Sequence, residues 1–120
     1  MNKITRKEVL TSDSYLDLIQ YCAQDNNPSF NYNKALEECG EFAEVILKLQ
    51  TKKKESLKGL TKEDAIEEYA HMVLRGKIAL MTLFPDHTDL EITLKVRNYI
   101  NQKLFKLKGY LKENKYKKGL

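Results

Sequence analysis

Glu38, Glu41, Glu68 and His71 are the residues of this 120-residue chain whose types and spacing point to chemistry. Glu38 and Glu41 are three positions apart, as are Glu68 and His71, and residues three apart on a helix project from neighbouring positions on one face. On a wheel turning about 100° per residue, the stretch from Asn33 to Gln50 presents a broad apolar arc of Ala35, Leu36, Cys39, Phe42, Ala43, Val45, Ile46, Leu47 and Leu49. Glu37, Glu44 and Lys48 fall outside that arc and Glu41 at its boundary, but Glu38 falls inside it, between Val45 and Leu49. A lone carboxylate there is costly unless it is protonated, paired or bound to a cation. The stretch from Thr61 to Phe84 is apolar almost all the way round, which describes a central, buried helix. One narrow polar stripe interrupts it: Asp64, Glu68, His71, Arg75 and Thr82. Set antiparallel, Glu-x-x-Glu on one helix and Glu-x-x-His on the other make a cage of carboxylate oxygens with one imidazole, a site type that helical bundles support. Mg2+ is the expected ion for such a donor set.

Two cations join the candidates. Lys103 projects between Ile92 and Val96, where it either meets an anion or buries its stem and carries its ammonium to water. Arg75, one turn beyond His71, either meets the same anion or pairs with Glu68 and leaves an ion-paired core without metal. Glu37, Glu44 and Glu63 read as solvated helix faces. Glu67 lies at the edge of the polar stripe, between Leu74 and Ile78, and is left out of the ligand set. His87 sits in the loop Pro85-Asp86-His87-Thr88 and reads as solvent-exposed.

The elements that position these groups follow from periodicity and stop signals. Four helices are expected: Ser12 to Gln24, ended by Asp25-Asn26-Asn27-Pro28; Asn33 to Gln50, followed by a polar connection through Thr51 to Ser56 and Gly59; Thr61 to Phe84, stopped by Pro85; and Thr88 to about Lys108, before Gly109. Thr61 with Asp64, and Thr88 with Glu91, have the spacing of capping boxes. No segment alternates in the way a strand requires. The expectation is an all-α chain with a single domain over residues 1–109 and a basic tail over residues 110–120.

Composition narrows the class. An apolar fraction of 42% with five Gly and two Pro argues against disorder, collagen and turn-rich β sandwiches. Cys22 and Cys39 are too few for a disulfide-stapled module and read as reduced core thiols. No leader-like apolar stretch follows the N-terminal charges, and no run is long enough to span a bilayer, so a cytoplasmic location without membrane attachment is expected. The net charge of +4 hides a split: residues 1–91 carry 12 basic and 16 acidic side chains, whereas residues 92–120 carry 9 basic and one acidic.

The two carboxylate segments resemble the signature of the MazG-like superfamily of all-α nucleoside triphosphate pyrophosphohydrolases. That signature is Glu-x-x-Glu and, after the rest of the helix and a loop, Glu-x-x-Asp, usually within Glu-Glu-x-Gly-Glu and Glu-Glu-x-x-Asp. Here Ala35-Leu36-Glu37-Glu38-Cys39-Gly40-Glu41-Phe42-Ala43-Glu44 matches the first half. Ile66-Glu67-Glu68-Tyr69-Ala70-His71-Met72-Val73 matches the second, except that His71 stands at the last acidic position. The resemblance covers about residues 33–108.

It implies a four-helix bundle-like fold completed by oligomerisation as a homodimer or homotetramer. It also implies Mg2+ on the acidic positions and hydrolysis of a (deoxy)nucleoside triphosphate to monophosphate and pyrophosphate. Carried over, Glu38, Glu41 and Glu68 are catalytic residues and metal ligands, with His71 at the fourth ligand position. One carboxylate helps to deprotonate the attacking water. Lys103 and Arg75 are the substrate-binding cations, and Phe30 or Tyr99 could stack on a base. Imidazole suits Mn2+, Zn2+ or Ni2+ better than Mg2+, so Mn2+ or another divalent ion is the alternative metal.

Two rival functions remain open. The chain could be a catalytically impaired relative that binds nucleotides or serves assembly. It could also be a helical nucleic-acid binder through the Lys-rich segment from Lys103 to Lys118, where Phe105, Tyr110 and Tyr116 are interleaved, although no reader motif accompanies those lysines.

Overall fold

The computed structural model describes residues 3–51 and 59–113. These form five helices and, among the described residues, no strand: α1 (Arg6–Thr11), α2 (Tyr15–Asp25), α3 (Pro28–Thr51), α4 (Lys62–Leu83) and α5 (Asp89–Lys112). The all-α expectation holds. The chain divides into two compact units, Met1–Asp86 with α1 to α4 and His87–Leu120 with α5. The expected polar connection at Lys52 to Ser56 and the last lysines, Lys115, Lys117 and Lys118, lie outside the described residues. No helix among the described residues is long and apolar enough to cross a membrane.

Several helix boundaries differ from the sequence expectation: α2 starts at Tyr15 rather than Ser12, and three further differences have a local reason. α1 was not anticipated; a capping box starts it, with the Thr5 hydroxyl accepting from the Glu8 N–H at 3.1 Å while Glu8 Oε1 accepts from the Thr5 N–H at 3.4 Å. α3 begins at Pro28 rather than Asn33. Proline is tolerated at the first helical position, where its missing N–H has no partner to lose, and Asn27 Oδ1 accepts from the Ser29 N–H at 2.9 Å. α5 runs through Gly109 to Lys112. A glycine ends a helix when it turns left-handed; among the described residues Gly59 does so, with φ 74°, and Gly109 does not. The two anticipated starts are present: Asp64 Oδ2 accepts from the Thr61 N–H at 2.6 Å, and Thr88 Oγ1 accepts from the Glu91 N–H at 3.1 Å.

The core of the first unit is the pair α3 and α4, with α2 on α4 and α1 on α2. Contacts from Phe42 to Tyr69, from Glu38 to His71 and from Asn31 to Thr82 climb α4 as they descend α3, so the two helices run antiparallel. Asn31 fastens one end of the pair. It is fully buried, its Nδ2 donates to Thr82 Oγ1 at 2.9 Å and to the Cys22 carbonyl at 3.2 Å, and its Oδ1 accepts from Asn26 Nδ2 at 3.1 Å. One amide thereby joins the end of α2, the start of α3 and the end of α4.

α4 is not enclosed as its all-round apolar wheel suggests. Ile78 and Met81 are buried, but Ile66, Val73, Leu74 and Leu83 are exposed, because only α3 and α2 pack substantially on it within this unit. α3 has a matching exposed stripe of Leu36, Cys39, Gly40, Ala43 and Leu47. Cys39 is therefore a surface thiol and not a core one, and Cys22 is half-buried.

Candidate metal centre

The capping box of α4 and the antiparallel register set Glu68 and His71 against Glu38, with successive turns of α3 and α4 facing one another. Ligand atoms of Glu38, Glu68 and His71 all lie within 4.8 Å of one another. His71 Nδ1 is 3.8 Å from Glu38 Oε2 and 3.7 Å from Glu68 Oε2. These separations lie beyond hydrogen-bond reach, and Glu38 Oε2 and Glu68 Oε2 are buried without a hydrogen-bond partner. Buried polar atoms are normally satisfied, so two orphaned carboxylate oxygens aimed at the same imidazole nitrogen fit a cation between them. Oxygen and imidazole donors together suit a divalent ion of the Mn2+ type and, less well, Mg2+.

Glu41, expected as a ligand, stands beside Glu68 but outside the grouping of Glu38, Glu68 and His71. Burial raises the pKa of Glu68 first, and the neighbouring Glu41 and Glu38 charges raise it further, while His71 acts in the opposite direction.

Glu67 was left out of the sequence candidates, yet its Oε1 is 3.9 Å from His71 Nε2. That distance, too, is beyond hydrogen-bond reach, but a carboxylate drawn onto the far nitrogen of a ligating histidine would orient the ring. The i, i+4 spacing to His71 could have revealed it. Glu37 and Glu44 behave as solvated acids and pair with Lys34 at 3.2 Å and Lys48 at 2.8 Å.

Arg75 lines a cleft of about 250 Å³ together with Glu38, His71 and Leu74. The ion pairs at the cluster are those of His71, and among the described residues Arg75 forms none with Glu38 or Glu68. Arg75 thus shares the cleft wall with Glu38 and His71. Lys103 is exposed on α5, in the His87–Leu120 unit. Phe30 lies under Lys34 Nζ at 5.7 Å, and Tyr99 is exposed on α5.

Comparison of the chain with models of known protein families, with curated proteins and with solved structures finds no match. The functional argument therefore rests on the cluster itself and on the signature its residues resemble.

Proposed function

We propose that the chain is a divalent-metal-dependent hydrolase of the MazG-like type, cleaving (deoxy)nucleoside triphosphates to monophosphate and pyrophosphate. The observation that carries this reading is the convergence of Glu38, Glu68 and His71, with two carboxylate oxygens lacking hydrogen-bond partners. Those residues belong to the two segments that resemble the family signature. Glu38, Glu68 and His71 would hold the ion, with Glu41 beside them. When bound, a divalent ion supplies charge neutralisation and Lewis acidity to phosphate oxygens.

The chain's own groups account for the remainder. Hydrolysis forms a bond from the water oxygen to the α-phosphorus and breaks the bond from that phosphorus to the bridging oxygen, whose electron pair leaves with pyrophosphate. The water's proton passes to a carboxylate of the cluster, Glu41 being the one outside the ligand trio. Arg75, at the wall of the adjoining cleft, meets phosphate oxygens with a permanently charged, planar group. Lys103 enters no step of this scheme.

The unpaired apolar stripes of α3 and α4 support self-association, as a homodimer or homotetramer. The test of the activity is incubation of the purified chain with a panel of ribo- and deoxyribonucleoside triphosphates under Mg2+ or Mn2+. Monophosphate plus pyrophosphate is expected, with Mn2+ the better ion, and His71→Asp should shift the preference toward Mg2+. No turnover of any triphosphate with either ion, by folded protein, would remove the reading.

A further inference from the structure

A second concavity continues from the metal cleft along α2. The α2 stripe of Tyr15, Leu18, Ile19 and Cys22, at i, i+3, i+4 and i+7, forms one wall. Leu74, Arg75 and Ile78 of α4 complete the lining. Its volume is about 490 Å³, within the roughly 300–1,000 Å³ typical of small-molecule sites. Leu74 and Arg75 line both this groove and the smaller cleft that holds Glu38 and His71. The two spaces therefore share part of their wall, and Arg75 is in that shared part.

We propose that this groove receives the nucleoside of the triphosphate, with Arg75 meeting the phosphate chain where it turns toward the carboxylates, and that it accepts different bases with little discrimination. The inference rests on the pyrophosphohydrolase reading and adds the place and selectivity of the base. The ligand must be apolar at one end and anionic at the other, because the groove is apolar and its only permanent charge, Arg75, lies on the side of the carboxylate cluster. The stripe from Tyr15 to Cys22 rises about 10 Å along α2, a length that suits a base with its sugar. Tyr15 is 83% exposed and lines the groove, so its ring would supply the stacking surface for the base, and stacking is tolerant of base identity. The side-chain polar groups in the lining are the Tyr15 hydroxyl, the Cys22 thiol and the Arg75 guanidinium. Strong discrimination among bases needs buried hydrogen-bonding groups that a wrong base leaves unpaired, and this lining supplies few. An added methyl group on the base, by contrast, should tighten binding about fourfold through burial alone.

The experiment is calorimetric titration of the full chain in Mn2+ with non-hydrolysable α,β-methylene nucleoside triphosphates and, separately, with inorganic tripolyphosphate. The nucleotide analogues are expected to bind more than about tenfold tighter than tripolyphosphate. Purine and pyrimidine forms should agree within about tenfold, and thymidine should exceed deoxyuridine. Leu18→Glu and Tyr15→Ala alter exposed positions, and their folding is checked by helical circular dichroism. Each should reduce the nucleotide's advantage over tripolyphosphate.

Equal binding of tripolyphosphate and nucleotide by the wild-type chain overturns the groove assignment and leaves the metal reading standing. So does a nucleotide advantage that survives both variants. If Leu18→Glu changes the oligomeric state while that advantage stays intact, the groove belongs to a second copy of the chain and the assignment falls. A preference above a hundredfold for one base overturns the proposed tolerance. Failure of every triphosphate and of tripolyphosphate to bind in Mn2+ removes both the groove assignment and the reading beneath it.

Discussion

Glu68 carries the clearest electrostatic consequence. Burial and the Glu41 carboxyl hold its pKa above the ordinary value of 4.5, so the folded chain keeps a proton that the unfolded chain has already released. Stability of the metal-free protein should fall as pH rises from about 4.5 through the folded pKa of Glu68, because over that window the folded state binds more protons. A bound divalent ion should weaken this dependence by replacing the proton. Glu68→Gln should raise the thermal midpoint of the metal-free chain at neutral pH and remove most of its Mn2+ affinity, as melts with and without Mn2+ would show. A drop in the metal-free midpoint would mean that the carboxylate is stabilised by its surroundings, contrary to this account. The position of Glu38 was legible in the sequence because periodicity alone puts it inside an apolar arc. The closeness of Glu41 to Glu68 was not legible, because it depends on the axial register of two helices. Glu67 lies outside the i, i+3 spacing of the ligand pairs and approaches His71 at i, i+4 instead.

At the scale of the elements, Asn31 determines whether α2, α3 and α4 meet correctly at one end. Asn31→Ala leaves Thr82 Oγ1, the Cys22 carbonyl and Asn26 Nδ2 without the partners they now have. Buried polar groups stripped in this way cost about 1–3 kcal/mol, and urea denaturation should show a loss in that range. Asn31→Asp is expected to be no milder, since it removes both donated bonds and adds a buried charge. The sequence does not show this fastening, because Asp25-Asn26-Asn27-Pro28 reads as a helix stop and puts Asn31 before the next helix. Once Pro28 is recognised as the first helical residue, Asn31 falls on the face turned toward Thr82. The start of α5 was legible from the Thr88 and Glu91 pair. Thr88→Ala should cost about 1 kcal/mol, read from the same denaturation experiment.

Across the whole molecule, composition and periodicity identified the helical class and the pairing of the two carboxylate helices. The extent of burial was not legible, because an apolar wheel shows what must be covered without showing what covers it. The chain leaves Leu36 and Leu47 on α3, and Ile66 and Val73 on α4, open to solvent. Self-association through these stripes should appear as a mass above 14.0 kDa in sedimentation equilibrium. Leu47→Glu should lower that mass by placing a charge in the interface. A monomer at all concentrations would remove the assembly component of the proposal.

Within the acidic excess over residues 1–91, Glu38 and Glu68 crowd the Nδ1 side of the His71 imidazole. The measurement that tests this centre most directly is titration of Mn2+ into the full chain, following free ion by electron paramagnetic resonance, for wild type and for Glu38→Gln. A single class of saturable site in the wild-type chain, weakened by more than about tenfold in Glu38→Gln, is the predicted result. No saturable binding by wild type, or equal binding by the two proteins, would contradict it.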